Sequence, residues 1–95
     1  MDNFIKKTKE VSGVLKNFSN QDKLAILCYL WSDEKKVWDI IKCLNISQSQ
    51  VSQFLWRMKL ENILESRKDW KEVYYKIADP KILKIISSLK KIFSN

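Results

Sequence analysis

Histidine is absent from this 95-residue chain, and glycine and proline occur once each. Histidine is the commonest general base and transition-metal ligand in proteins, so its absence argues against an enzyme and against an ordinary metal centre. The sequence also lacks a glycine-rich phosphate loop and a nucleophile elbow. We therefore expect a protein that is not an enzyme, with no catalytic residue, no cofactor and no bound metal.

Long apolar runs are also missing. The longest, residues 24–31, has eight residues, whereas about 20 are needed to cross a bilayer. Residues 1–7 lack the apolar segment of a signal peptide, and two cysteines are too few for a secreted disulfide framework. These absences predict a cytoplasmic protein with no membrane partner. The scarcity of glycine and proline leaves few turns for a β-sandwich, so the fold should be mostly helical.

The charged residues are unbalanced in sign. Sixteen lysines and two arginines against eleven acidic residues give a formal charge of +7. This excess favours an anionic partner, although a lysine-rich surface also fits a biased composition. The length predicts one domain, residues 1–95, whose small core would gain from burying further surface in a dimer.

The strongest local motif begins at Ser47. Ser47 and Gln50 form a capping-box pattern, and Ile46 and Val51 form the hydrophobic staple that often accompanies it. Apolar residues at helical spacing then predict a docked face: Val51, Phe54, Leu55 and Met58. The opposite face has uncharged side chains that donate and accept hydrogen bonds: Gln48, Ser49, Ser52 and Gln53.

Two interpretations of this polar face remain open. It is either the surface of a well-capped helix or a set of groups that reads base edges in a DNA major groove, where glutamine and serine are suitable partners. A solvated helix face usually carries glutamate and lysine instead. The preceding helix, predicted at residues 37–44, is joined to this one by about three residues, which is typical of a helix-turn-helix.

The remaining elements complete a winged helix. Amphipathic and central helices are predicted at residues 3–18 and 20–32, the latter capped by Ser19 or Asn20. The Ser/Gln helix should stop near Asn62, a plausible left-handed residue. A hairpin with a basic, aromatic tip is predicted from strands at residues 63–68 and 72–77. Asp79-Pro80 then starts a last helix at residues 80–93. The fold class is mainly α with a β-hairpin wing, in the order α-α-α-α-β-β-α.

Both terminal helices carry apolar stripes that a single small core would not bury. We expect dimerisation through these two helices, with an interface that includes Phe4, Val11, Leu15, Ile82, Ile86, Leu89 and Phe93.

Three segments, residues 24–28, 46–55 and 73–77, resemble the ArsR/SmtB repressors, and the resemblance runs from Ser19 to Ser94. It implies a homodimeric transcription repressor that binds a palindromic operator in double-stranded DNA and leaves it when an inducer binds. The polar face above would read bases. Phosphate contacts, which position the protein, would come from Ser47, Arg57, Lys59, Arg67, Lys68 and Lys71.

The resemblance also bears on what such a repressor would sense. A family metal site uses Cys-x-Cys at the start of the third helix, where this chain has Lys36 and Trp38, and a second site needs histidine. The chain is similar to the thiol-sensing branch, typified by haemolysin activator and biofilm-growth repressor proteins. Cys28 occupies the first thiol position of that branch, but Ser94 occupies the second.

Serine cannot form a disulfide, so Ser94 marks either a natural loss or an introduced replacement of cysteine. Two interpretations of Cys28 remain open. It is either a redox sensor that responds to oxidants or reactive sulfur, or a small buried side chain in a central helix. Cys43 has no counterpart in the family and is expected to be inert packing.

Some residues depart from the family pattern. Phe54 stands where histidine is usual, and the wing tip Asp69-Trp70-Lys71 lacks the usual glycine. Trp56 and Leu60 lie on the outward face of the Ser/Gln helix, where they would cover the base of the wing or meet a protein partner. The alternative function is a winged-helix interaction module that has lost DNA reading and sensing and uses Trp56, Leu60 and Trp70.

Overall fold

The computed structural model describes residues 1–94 and confirms the winged helix-turn-helix. The elements in chain order are α1 (Asp2–Ser19), α2 (Gln21–Leu30), β1 (Lys35–Lys36), α3 (Val37–Leu44), α4 (Gln48–Leu60), β2 (Leu64–Asp69), β3 (Glu72–Ile77) and α5 (Pro80–Phe93). Among these described helices, none combines the length and the apolar character needed to span a membrane.

The strand β1 is an addition to the predicted order. Lys35 pairs with Tyr75 and Lys36 with Tyr74, which gives an antiparallel sheet in the order β1-β3-β2. Two lysines carry no β signal, and this strand forms because the chain passes beside the open edge of β3. The wing is therefore part of a three-stranded sheet and is fastened to the segment that precedes α3.

The core is built from aliphatic side chains of every element except α1 and the short β1. α2 lies at its centre, as expected from its sequence, and contributes Ile26, Leu27 and Leu30. The other buried hydrophobic residues are Ile40, Val51, Leu55, Met58, Ile63, Leu64, Ile77, Ile82 and Ile86. The hydrophobic residues of α1 that pack against the core, such as Val14 and Phe18, are half-buried.

Side-chain caps define where the helices begin. Asn20, rather than Ser19, caps α2, because its Oδ1 accepts hydrogen bonds from the backbone N–H groups of Asp22 at 2.9 Å and Lys23 at 3.1 Å. The Ser47 hydroxyl accepts from the Gln50 backbone N–H at 3.2 Å. The capping box is only half formed, since the Gln50 side chain accepts from the Ser47 hydroxyl at 3.4 Å instead of contacting its backbone.

The end of α4 explains a shift in the predicted hairpin. Asn62 has a φ of 62°, as its left-handed role requires. Its N–H bonds the Lys59 carbonyl at 3.0 Å, and the Ile63 N–H bonds the Met58 carbonyl at 2.9 Å, which is the Schellman pattern. Ile63 is used in this helix stop, so β2 begins at Leu64, one residue later than predicted.

The helix α2 also ends earlier than its sequence predicts, at Leu30 instead of residue 32. The backbone N–H of Trp31 bonds the carbonyl of Cys28 at 3.3 Å, three residues back. This tightened last turn ends the helix, and the chain then turns toward β1.

The wing turn places a bulky residue in an unfavourable backbone conformation. Trp70, between the paired residues Asp69 and Glu72, has a φ of 59° and is 84% exposed. A left-handed conformation costs an L-residue roughly 1–2 kcal/mol, and the exposed indole recovers little of this through burial.

We predict that Trp70→Gly raises the free energy of unfolding by roughly 0.5–1 kcal/mol. Glycine adopts positive φ without a Cβ clash, which stabilises the folded state. Its larger conformational entropy in the unfolded state offsets only part of this stabilisation. Urea denaturation would measure the change. Lys71→Gly is the control, since φ at Lys71 is not positive, and it should lower stability. Equal effects of the two substitutions on stability would contradict the inference that the backbone is strained at Trp70.

Candidate nucleic-acid interface

The packing of α4 determines which of its faces meets solvent. Val51, Leu55 and Met58 are at most 1% exposed and dock the helix on the core. The four residues of the polar face are therefore turned outward, and all are exposed: Gln48, Ser49, Ser52 and Gln53. The structure brings these predicted base-reading residues together at the N-terminal half of one exposed helix, where donors and acceptors are available to a ligand.

Phe54 lies between the two faces of α4. It is half-buried and packs against the core, and the Lys23 ammonium is 5.8 Å from the centre of its ring. A cation above an aromatic face is attracted by the ring quadrupole. The position at which the resemblance leads one to expect histidine is thus occupied by a packing residue.

Exposed basic residues flank the polar face. Arg57 and Lys59 lie in the last turn of α4, while Lys68 and Lys71 lie on β2 and in the wing turn. The Lys59 ammonium donates to the Ser66 hydroxyl at 2.7 Å, which joins the end of α4 to the wing. Ser47 is exposed, and its hydroxyl is engaged in capping α4.

Arg67 has a different environment from the other predicted phosphate residues. Its Nε donates to Oε2 of Glu34 at 3.0 Å and its Nη2 donates to Oε1 at 2.6 Å. The guanidinium carbon is 4.3 Å from the centre of the Tyr74 ring, and Nη1 is 3.6 Å from Oδ2 of Asp69. The hydrogen bond with Arg67 lowers the pKa of Glu34 and raises the pKa of Arg67.

The role of Glu34 carries no signal in the sequence. It lies 33 residues before Arg67, in the loop after α2, and only the tertiary fold brings the two together.

Trp56, Leu60 and Trp70 are 59%, 63% and 84% exposed. The expectation that Trp56 and Leu60 cover the base of the wing is therefore wrong. The polar side chain of Lys59 makes the link to β2 instead.

A cavity of about 740 Å³ lies between α2 and the end of α5. Its lining includes Cys28, half-buried on α2, and Ser94, exposed just after α5. The Lys90 ammonium is 5.0 Å from the centre of the Trp31 ring, and both residues line the same cavity. The structure thus brings the two positions of the expected thiol pair to one cavity, with one sulfur present.

Cys43 is exposed on α3, so the expectation that it is inert packing is wrong. Burial, followed by the charges of Cys43 and Asp39, raises the pKa of Tyr29.

The predicted interface residues separate into two groups. Phe4, Val11, Leu15 and Phe93 are all exposed, and Leu89 is half-buried. The prediction that Ile82 and Ile86 belong to the interface is wrong, because both are fully buried in the chain's own core. α5 therefore uses its N-terminal half for the core and presents apolar residues to solvent near its C-terminal end.

Within residues 1–94, no three side chains of histidine, cysteine, aspartate or glutamate are grouped so that they could hold a metal ion. Lys36 and Trp38, at the positions of the Cys-x-Cys motif, offer no thiolate.

Comparison with known proteins identifies a regulatory family. Residues 20–66 match the model described as "Bacterial regulatory protein, arsR family". The biofilm growth-associated repressor of Xylella fastidiosa is 28% identical over 88 residues, covering 93% of this chain and 77% of that protein. The nodulation protein NolR of Rhizobium meliloti is 30% identical over 84 residues, covering 88% of this chain and 69% of that protein.

Solved structures agree in fold. Reduced HlyU from Vibrio cholerae superposes with a TM-score of 0.94 at 25% identity, over the full length of both chains. The homodimeric winged helix-turn-helix DNA-binding domain of Mb0332 from Mycobacterium bovis has a TM-score of 0.79 at 23% identity, covering 97% of this chain and 85% of that one.

Proposed function

The chain belongs to the arsR family of bacterial regulatory proteins, and from this premise we propose that it represses transcription by binding a palindromic operator as a homodimer in the cytoplasm. It is a DNA-binding transcription regulator and not an enzyme, as its family and relatives are regulators. The observation that carries the proposal is the exposed, uncharged hydrogen-bonding face of α4.

Base reading is assigned to Gln48, Ser49, Ser52 and Gln53. Glutamine can form a bidentate pair with adenine, and serine can bond several bases. The buried face of α4 holds the helix so that these side chains point outward together. The flanking Ser47, Arg57, Lys59, Lys68 and Lys71 would contact phosphates, which orient the protein without reading sequence.

Removing one base-reading side chain should weaken sequence preference. We expect Gln53→Ala to lower affinity for the selected operator by ~1–3 kcal/mol while leaving affinity for a random duplex nearly unchanged. The matched control is Lys71→Ala, which should weaken both duplexes alike and reduce the salt dependence. Fluorescence anisotropy with a duplex selected from a random pool would measure both.

If Gln53→Ala weakened operator and random DNA equally, the α4 face would not specify sequence. Complete absence of duplex binding by the unmodified protein would favour the second candidate function, an interaction module. The observation that favours this candidate is the exposure of Trp56, Leu60 and Trp70.

Dimerisation is assigned to α1 and the C-terminal end of α5. Their exposed apolar residues, Phe4, Val11, Leu15 and Phe93, would be covered by a second copy. The mycobacterial structure of the same fold, which is homodimeric, supports this proposal. Two copies would place two α4 helices on the two half-sites of a palindrome.

We predict twice the chain mass in light scattering at micromolar concentration and a midpoint of thermal unfolding that rises with concentration. Phe4→Asp should shift the protein toward the monomer, because a charge would be buried in an apolar interface. Trp70→Asp, at an aromatic residue on the wing that is also largely exposed, should leave the mass unchanged. A monomer mass for the unmodified protein would contradict the two-half-site arrangement.

The cavity between α2 and α5 supports a relation to thiol sensing. Cys28 would be the remaining member of a pair, and Ser94 would hold the place of its partner. A disulfide requires Cα atoms no more than about 7 Å apart, and with serine at position 94 no such bond can form. We infer that the protein binds DNA with little dependence on oxidants, since Cys28 has no resolving thiol.

Replacing Ser94 by cysteine should create a switch. We expect Ser94→Cys to lose operator affinity at least about tenfold on treatment with diamide, which accepts two electrons and two protons as the two thiols form one disulfide. A reductant should restore binding. Mass spectrometry would identify the intramolecular link, and Ser94→Cys combined with Cys28→Ser is the control that should not respond. A Ser94→Cys protein that forms no such link would leave Cys28 as a packing residue.

A further inference from the structure

We propose that Arg67 is a positioning residue that holds the wing through Glu34 and does not contact DNA phosphate. This rests on the DNA binding proposed above and deepens it, because it separates the basic side chains that meet DNA from one that orients them. Three features support this role: the pair of hydrogen bonds between Arg67 and Glu34, the face of the sheet on which Arg67 lies, and the segment to which Glu34 belongs.

The contact has the geometry of a specific pair. Two nitrogens of Arg67 donate to the two oxygens of Glu34, at 3.0 and 2.6 Å. Such bidentate pairs fix direction as well as distance, because the planar guanidinium matches the carboxylate. Stacking on Tyr74 holds the guanidinium plane from one side. Two of the five N–H donors of Arg67 are therefore already engaged by Glu34 in the DNA-free protein.

The strand register places Arg67 on a different face from its neighbour Lys68. Successive side chains of a strand point to opposite faces, and directly paired residues share a face. Ser66, paired with Tyr75, is turned toward α4 and accepts from Lys59. Lys68 shares that face, whereas Arg67, paired with Tyr74, faces away from α4.

Glu34 belongs to the segment that fastens the wing to the helices. It directly precedes β1, whose two residues are the only part of this segment paired with β3. Two residues of ladder are a weak attachment, and the ion pair adds a side-chain link at the same place. The pair thus joins β2 to the loop after α2, so that all three strands move together.

A phosphate contact through the two nitrogens that bond Glu34 would require these hydrogen bonds to open. The Glu34 carboxylate would then lie unpaired beside the approaching phosphates, and like charges repel. The two roles therefore predict opposite effects for removal of Glu34. If Arg67 contacts phosphate, freeing it should tighten DNA binding. If the pair positions the wing, loss of Glu34 should weaken binding as much as loss of Arg67.

The experiment is a double-mutant cycle read by binding to the selected duplex and to a random duplex at several salt concentrations. We expect Glu34→Ala and Arg67→Ala each to weaken binding about tenfold, and the double variant to be no weaker than either single, as for two residues that act as one unit. The slope of log affinity against log salt should stay unchanged, because no phosphate contact is lost.

Two matched controls separate charge from position. Lys68→Ala, one residue from Arg67, removes one phosphate contact and should reduce the slope of log affinity against log salt by about one. Glu65→Ala removes the same charge from the same face of the wing, but Glu65 pairs with Lys76 at 3.1 Å, so binding should not weaken. Reversal of both partners, Glu34→Arg with Arg67→Glu, should recover most of the affinity that either reversal alone removes.

Amide hydrogen exchange of β2 and β3 in the DNA-free protein gives a readout that does not need DNA. Exchange should accelerate in Glu34→Ala and Arg67→Ala but not in Lys68→Ala, since only the first two loosen the sheet. If the unmodified protein bound no duplex, the proposed function would fail. The hydrogen-exchange measurement would still test whether the Arg67–Glu34 pair holds the wing. Unchanged exchange, tighter DNA binding by Glu34→Ala, or a smaller salt slope for Arg67→Ala would overturn the proposal.

Discussion

The docking of α4 on the hydrophobic core governs how the other parts of the molecule are arranged. Val51, Leu55 and Met58 are withdrawn from water, and burial of side chains of this size contributes roughly 1.5–3 kcal/mol each. Because this packing fixes the rotation of the helix about its axis, it also decides which side chains are presented outward. The polar face is exposed because the opposite, apolar face of α4 is buried in the core. The helix preferences of its own residues do not cause this exposure.

The same helix also determines how the wing begins. The Schellman stop at Asn62 turns the chain directly into β2, and Lys59 bonds Ser66 at the base of the hairpin. On the other face of the sheet, Arg67 reaches Glu34. The hairpin is held from both faces, which a two-stranded hairpin needs, since it is marginally stable alone.

The two ends of the chain contrast with this compact centre. α1 contributes no buried hydrophobic residue, and the last residues of α5 leave Ile92 and Phe93 mostly exposed. Large apolar patches on a small protein mark interaction surfaces. The cavity with Cys28 and Ser94 adjoins this region of α5. A change of packing in the cavity would therefore be felt near the surface through which we propose that two copies associate.

The elements whose signals are local follow from the amino-acid sequence. The cap residues Asn20, Ser47 and Asp79, the left-handed Asn62 and the apolar spacing of α2 to α5 act within a few residues, so the winged helix-turn-helix and the outward face of α4 were predictable. The chemistry of Gln48, Ser49, Ser52 and Gln53 likewise follows from their side chains. The absence of histidine was enough to argue against the usual catalytic and metal sites.

The contacts between segments distant in the chain become known from the folded structure. Strand β1 has no β-forming residues and exists because the edge of β3 is open to it. The partner of Arg67 is 33 residues away, and the packing of the sheet beside α4 decides that Lys68 lies on the α4 side and Arg67 on the other. Ile82 and Ile86 belong to the core and Phe93 to the surface, although all lie on one apolar stripe. Such assignments depend on which elements pack together, and the periodicity of a single helix does not contain that information.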